Sequence, residues 1–291
     1  MEERNSDPVL SVIIGSTGPA DALTACLSAL EPQREGAEVL VCETAASPAE
    51  LRERFSWARF IDGPERTVPA LWADGIARAR GGIVALTIAP MRPAADWVET
   101  IHREHRNHDA VAGAIEPADG LGLADLAEYL CRYAPDMLPF QAHECPALPG
   151  DNASYKRDLL ERTADLHREG FWEPVVHRRL AEEGVVLWHA PQLLVRQGRS
   201  GGIRAFVRQR LAHGRAHGGQ RGALFGPVRN TAGVVGAPAV PLLLGFRIAS
   251  ELARRRRFGV RALMAQPLVL LYNVAWAVGE ARGHIDALRT R

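Results

Sequence analysis

Histidine is the first residue type to weigh, because its ring nitrogens serve both proton transfer and metal binding near neutral pH. His102, His105 and His108 recur every third residue in a helical stretch, a spacing that can put two of them on one face. Their neighbours Arg103, Glu104, Arg106 and Asn107 make a solvated helix face the better reading. His213 and His217 stand four apart among Arg208, Arg210, Arg215 and Arg221 and read as part of a basic surface. The four cysteines, Cys26, Cys42, Cys131 and Cys145, show no C-x-x-C pair or other metal-like spacing. Cys26 and Cys42 sit in apolar runs and read as core, which suits a reducing compartment. Ser16 and Ser200 have no convincing nucleophile setting, and Gly233-x-x-Gly236 lacks the strand–turn–lysine context of a phosphate loop. Two charged residues are better placed. Arg92 follows an apolar strand in a loop, where a guanidinium can grip phosphate oxygens bidentately. Glu173 precedes Pro174 at a helix start, where a carboxylate is favoured by the helix dipole and can also take a proton.

Elements must hold these residues. Val9–Ile14, Val39–Cys42, Ile83–Ile88 and Ala110–Ile115 are apolar, β-rich runs. Between them lie helical patterns over about 19–30, 51–55, 69–80 and 96–108, the third closed by Gly81-Gly82. This alternation, with near-continuous apolar strands, predicts an α/β fold with a mostly parallel sheet covered on both faces. Ligands of such sheets sit at the carboxyl ends of the strands. The loops after Ile14, Cys42 and Ile88 are therefore the places to search. Further on, helices are expected over 123–133, 157–166 and 174–183. Strands are expected over 152–156, 185–188 and 193–196, the last two separated by His189-Ala190-Pro191.

Charge divides the chain. Residues 1–195 hold 18 Lys+Arg against 31 Asp+Glu (−13), and residues 196–291 hold 17 Arg against Glu251, Glu280 and Asp286 (+14). A basic rear on an acidic front points to an anionic partner for the rear. Ile203–His217 reads as a basic helix and Gly218–Asn230 as a linker or turn. Two apolar stretches follow, about 232–248 and 262–278, with Arg254–Arg257 between them. At about 17 residues each they fall short of the roughly 20 a spanning helix needs. Interfacial or re-entrant helices at an anionic membrane surface fit them best, with a two-helix hairpin or a buried hairpin as the other readings. Nucleic acid is ranked low as a partner, because only Phe206 and Phe225 interleave with the arginines. Met1–Pro8 is polar and acidic and lacks the pattern of a signal peptide, so the front is expected to face the cytoplasm. The expected domains are residues 1–200 and 201–291.

The order of these pieces resembles the inverting family 2 glycosyltransferases of GT-A fold. Pro8–Ile14 looks like that family's opening strand and Leu23–Leu30 like its first helix. Glu38–Glu43 resembles the strand whose final acid contacts the nucleotide base. Arg80–Leu86 resembles the approach to the metal loop, and Pro93–Trp97 the segment after it. Gly150–Arg157 resembles the acceptor-side G-x-N motif, and Phe171–Pro174 with Arg179-Leu180 and Gly184 the E-D…R-L…G helix. The resemblance implies a transferase using a nucleotide-sugar donor and a lipid-linked or polysaccharide acceptor. Fixing the register on Arg179, Leu180 and Gly184 makes Glu173 the catalytic base, in place of the family's aspartate. Glu43 would contact the nucleobase, and Asn152 acceptor or donor hydroxyls.

Departures from the family pattern matter equally. The Asp-x-Asp that would hold Mg²⁺ or Mn²⁺ reads Ile88-Ala89-Pro90, and neither isoleucine nor proline offers the hard oxygen a divalent cation takes. The late histidine ligand matches Gln197 or nothing, and the family's Arg-Asn pair reads Trp72-Ala73. A conventional metal site is not expected, and Arg92 is the candidate to take the leaving group's charge. The alternative is a glycosyltransferase-like subunit without catalysis, acting as a binding or scaffold protein at the membrane.

Overall fold

A computed structural model describes residues 9–63, 67–199, 201–224 and 226–290, so Ser200 and Phe225 lie outside the described residues. Its strands are β1 (Leu10–Ser16), β2 (Ala37–Glu43), β3 (Arg59–Asp62), β4 (Ile83–Ile88), β5 (Met91–Pro93), β6 (Ala110–Pro117), β7 (His143–Glu144), β8 (Asn152–Lys156) and β9 (Leu187–Gln197). Its helices are α1 (Ala20–Leu30), α2 (Ala49–Arg54), α3 (Val68–Ile76), α4 (Trp97–Glu104), α5 (Leu123–Tyr133), α6 (Arg157–Arg162), α7 (Glu173–Glu182), α8 (Gly202–Leu224), α9 (Pro227–Gly236), α10 (Val240–Arg255) and α11 (Gly259–Arg289). The chain divides into two compact units. One holds the chain up to Glu116 together with Asp136–Gly198; the other holds Pro117–Pro135 and the chain from Arg199 onward.

The first unit is a nine-stranded sheet in the order β3-β2-β1-β4-β8-β6-β9-β5, with β7 attached to β9. β3, β2, β1 and β4 run parallel, whereas β8 is antiparallel to both β4 and β6, and β5 is antiparallel to β9. Every residue of β1 is buried, as a strand covered on both faces requires. Only Ala89 and Pro90 separate β4 at the sheet's middle from β5 at its far edge. Two residues span only about 7 Å, so the sheet must curl to bring that edge back to the carboxyl end of β4. Two hydrogen bonds fix the return: Ala89 N–H donates to Gly15 O (3.1 Å) and Gly198 N–H to Pro90 O (2.7 Å).

Several boundaries differ from the sequence expectation, and the helix expected over 157–166 ends at Arg162. α3 ends at Ile76 rather than Arg80, where Arg78 N–H closes on Gly75 O, three residues back. α4 ends at Glu104 rather than His108, with Arg106 N–H closing on Arg103 O in the same way. Such tightened last turns spend the end carbonyls that would extend an α-helix. The strands expected over 185–188 and 193–196 are one strand, β9, running through Pro191.

The second unit is helical, and α5 belongs to it. Most of the linker or turn expected over 218–230 is helix among the described residues: α8 continues to Leu224 and α9 starts at Pro227. Its glycines are packing positions instead. A Cβ on Gly214 would overlap the Trp276 carbonyl, one on Gly218 the Glu280 carbonyl, and one on Gly222 the Ala287 side chain. From the other side, Gly279 meets the Leu211 carbonyl and Gly283 the Arg215 carbonyl. Small residues four apart on both helices let the two backbones touch, the small-xxx-small device of close helix pairs. Polar groups cluster beside this seam. Asn230 Nδ2 donates to Gly222 O (3.0 Å), and Glu280 accepts from Arg221 Nη1 and Trp276 Nε1 (3.2 Å each). α5 covers the start of α11, with the Tyr129 and Phe258 rings 6.0 Å apart and Arg261 donating to Leu121 O (2.6 Å).

Helix runs on past the two apolar stretches read from sequence. Pro227–Arg255 (29 residues) and Gly259–Arg289 (31 residues) are each long and apolar enough to cross a membrane. Pro238 and Pro241 interrupt neither, because each stands in the first turn of its helical segment, where no N–H partner is lost.

Candidate active site

β1, β2 and β4 end at Ser16, Glu43 and Ile88. Glu43 is 1% exposed, yet it carries a carboxylate. Its oxygens accept from Ser47 N–H (3.0 Å), from Ser47 Oγ (2.5 Å) and from Arg52 Nη2 (2.5 Å). A buried charge persists only when paired and hydrogen-bonded, and here both conditions hold. Arg52 is shared with Asp62 at the end of β3. The ends of β1, β2 and β3 are stitched together by Thr44 N–H to Ser16 O and Gly63 N–H to Glu43 O.

Glu173 is the first residue of α7, half-buried, with Pro174 in the first turn. Its carboxylate lies on the Cα of Gly150: a Cβ at Gly150 would overlap Oε1 and come within 2.9 Å of Trp72 Cζ3. Gly150 is therefore the gap through which Glu173 and the Trp72 indole meet. Trp72 is 2% exposed and donates from Nε1 to Thr87 O (2.8 Å), while Thr87 Oγ1 donates to Asp151 O (3.0 Å). Trp72 is thus a wedge of the core. The backbone before Glu173 is tied to the start of α3 by Phe171 N–H to Pro69 O (2.8 Å). Glu43 reaches the same helix through Gly63, which packs against Leu71. The Glu43 backbone, through Gly63, and the Glu173 carboxylate, through Trp72, thus both border α3, while the Glu43 carboxylate itself turns to Ser47 and Arg52.

Behind Glu173 stand Tyr155 and His177. His177 lies four residues along α7, on the same face as Glu173. Burial pushes its imidazole down to about 4, so it is neutral. Leu148 N–H donates to Nδ1 (3.3 Å), which leaves the proton on Nε2, directed at Tyr155 Oη (2.8 Å). The tyrosine's own proton is then free for another acceptor. Burial first, and then the charge of Glu173, hold that phenol well above its usual range.

This packing gives a direct test. Gly150→Ala should lower stability by about 1–3 kcal/mol by denaturant unfolding, the usual cost of overpacking. In a Glu173→Ala background the cost should shrink, because one of the two clashing groups is gone. Equal costs in the two backgrounds would mean that Glu173 does not rest on Gly150.

Arg92 is exposed on β5, directly opposite Arg196 on β9. Asn152 is fully buried. Its Nδ2 donates to Ala114 O (3.0 Å) and Leu193 O (2.9 Å), and its Oδ1 accepts from Trp97 Nε1 (2.8 Å). The amide ties β8 to β6, β9 and α4 and turns inward, with both Nδ2 hydrogens already donated to backbone carbonyls. The histidines disperse. His105 is buried against Ser154 Oγ (2.8 Å) and pushed down to about 4 by desolvation, whereas His108 stacks on Trp188 at 4.3 Å. All four cysteines are free thiols, and burial pushes those of Cys26 and Cys42 up to about 12.

No protein-family model and no curated protein matches the chain. Solved structures do. A mannosyltransferase, PcManGT from Pyrobaculum calidifontis, in complex with GDP-Man and Mn²⁺, is 17% identical with a TM-score of 0.57. The match covers 95% of this chain and 88% of that one. GalNAc-T7 with UDP, GalNAc and Mn²⁺ is 11% identical with a TM-score of 0.50, over 67% of this chain and 45% of that one. The fold is GT-A-like.

A GT-A-like fold raises the question of a divalent metal, and the residues do not fit one. The loop after β4 offers Ile88, Ala89 and Pro90, of which the first two are buried. Among the described residues no group of three or more His, Cys, Asp or Glu could hold a metal ion. Gln197, at the place of the late histidine, is 1% exposed, and its Oε1 has no partner among the described residues. One carboxamide oxygen does not replace two carboxylates. Sequence reasoning missed Arg196, which lies on the strand bearing Gln197, and missed Gly150 as the seat of Glu173. The first could have been found only from strand register, which no local pattern encodes.

Proposed function

We propose that this protein is an inverting glycosyltransferase. It moves a sugar from a nucleotide-diphosphate donor to a hydroxyl of a lipid-linked or polysaccharide acceptor at the cytoplasmic face of a membrane. The observation that supports it most is the carboxylate of Glu173, seated at the carboxyl edge of a GT-A-like sheet against Gly150 and Trp72. In this reading the acceptor oxygen attacks the anomeric carbon, and its proton passes to Glu173. The carbon–oxygen bond to the donor's β-phosphate breaks, and its electron pair stays on the phosphate oxygen. Glu43 meets the nucleobase and Arg92 the diphosphate. In this reading Asn152 is left out of the substrate contacts, because its buried amide already bonds Ala114, Leu193 and Trp97.

A second reading, a binding or scaffold subunit, has one observation in its favour: the Glu43 carboxylate is already held by Ser47 and Arg52. Thermal denaturation of the full chain with UDP- and GDP-sugars, in EDTA and in Mn²⁺, separates the two. Transfer predicts that at least one donor raises the Tm, by about 2.7 kcal/mol of added stability at a hundred times its Kd. If no nucleotide sugar shifts the Tm under either condition, the transferase reading is wrong.

A further inference from the structure

Seven of the fifteen arginines described in the acidic first unit stand beside a carboxylate, among them Arg52, Arg78, Arg80, Arg103, Arg162 and Arg179. Arg92 and Arg196 do not. They are paired residues of the antiparallel β5–β9 ladder, so their side chains leave the same face side by side. Both are exposed, and no ion pair involves either among the described residues. Their ladder neighbours Met91, Pro93, Val195 and Gln197 are buried on the other face. Like charges directly opposite each other in a ladder are unfavourable, and the sequence places two at this one rung.

The position of the rung matters as much as its charge. The Arg92 guanidinium lies over Gly198, where a Cβ would come within 3.3 Å of Nε and 3.4 Å of Nη2. Gly198 N–H is bonded to Pro90 O, so the guanidinium is folded back beside the loop after β4. That loop is where a metal-dependent enzyme of this fold would need its carboxylates, and it holds none.

We propose that Arg92 and Arg196 form a two-arginine clamp for the diphosphate of the donor, supplying two fixed positive charges where a divalent cation would otherwise stand. The clamp rests on the transferase reading and extends it, adding Arg196 as a binding residue and making diphosphate recognition independent of metal. When the bond to the β-phosphate breaks, the electron pair arrives on an oxygen already facing two guanidinium groups. Each can hold two phosphate oxygens through parallel N–H donors, geometry that lysine lacks.

The test uses the full-length protein with UDP, GDP, the parent nucleosides and inorganic pyrophosphate as calorimetric titrants, in EDTA and in Mn²⁺. A nucleoside diphosphate should bind equally well in both buffers. Arg92→Ala and Arg196→Ala should each weaken it by about ten- to a hundredfold, the range for a lost charged hydrogen-bonding group, and leave nucleoside binding unchanged. Arg196→Gln should also raise the Tm of the unliganded protein, because it removes the repulsion, and a merely structural arginine would not do this. Nucleoside diphosphate binding that requires Mn²⁺, or that ignores Arg196→Ala, overturns the clamp and leaves the transferase reading standing. Pyrophosphate binding that depends on both arginines while no nucleotide binds would overturn the clamp as a donor site together with the transferase reading.

Discussion

Replacing Glu173 with Gln should lower the rate of sugar transfer by about 10²–10⁴-fold, the usual contribution of a positioned general base. The side chains are nearly isosteric, so the amide still fits over Gly150 and against Trp72, and the Tm should stay close to wild type. Binding of the nucleotide donor should also persist, because the diphosphate and the base are met by other residues. Kcat carries the loss, as it does for an interaction made only in the transition state. Glu173→Asp should recover part of the rate. Its shorter chain draws the carboxylate back toward α7, and Gly150 leaves room behind it. Tyr155→Phe separates a base from a bystander: it removes the proton that His177 leaves available and should displace the pH–rate profile without changing donor affinity. A Glu173→Gln variant that transfers at the wild-type rate would leave Glu173 as no more than a first-turn acid of α7.

Some of this was legible before any coordinates, and the reason is periodicity. β1, β2 and β4 are unbroken apolar runs because both sheet faces are covered, so their positions, and the strand ends as the place to search, follow from local pattern. The sequence also places Glu43 at a strand end and Glu173 at a helix start. It does not reveal what these side chains face. Asn152 reads as a turn residue available to hydroxyls, yet it sits at the first position of an inner antiparallel strand, where its amide has no choice but to satisfy backbone carbonyls. The pairing of Arg92 with Arg196 depends on two strands 104 residues apart meeting in one register, 196 against 92, and nothing near either residue signals it. In the tail, glycine misleads. Gly218 and Gly222 read as a linker because glycine usually breaks a helix. Here the neighbouring backbone comes so close that only glycine fits, and the gain in packing outweighs the cost of about 1 kcal/mol per glycine.

The tail's second large effect concerns membranes. Leu242, Leu243 and Phe246 on α10 are 72%, 60% and 73% exposed, and Val260 and Leu263 at the start of α11 are 72% and 71% exposed. So much exposed apolar surface on two long helices needs a partner. The other side of α11 is not available to lipid. α8 packs along its second half through the glycine seam, and α5 lies along its first half with Glu128 and Arg132 paired at 3.6 Å. A helix with charged protein along one side and bare aliphatic groups along the other suits the surface of a bilayer better than its centre. Arg254, Arg256 and Arg257 at the α10–α11 turn would then face lipid headgroups, at about 1 kcal/mol per charge. The expected result is that the full-length protein sediments with vesicles containing an anionic phospholipid. Changing Leu242, Leu243 and Phe246 together to Ser should weaken that binding by about 10³-fold, since three side chains at about 1.5 kcal/mol each leave the apolar phase. Salt distinguishes the two contributions. High ionic strength should erase the part due to arginine and spare the part due to α10, because charge is screened and apolar burial is not. Equal sedimentation of the triple-serine variant and the wild type would show that the apolar face has another occupant.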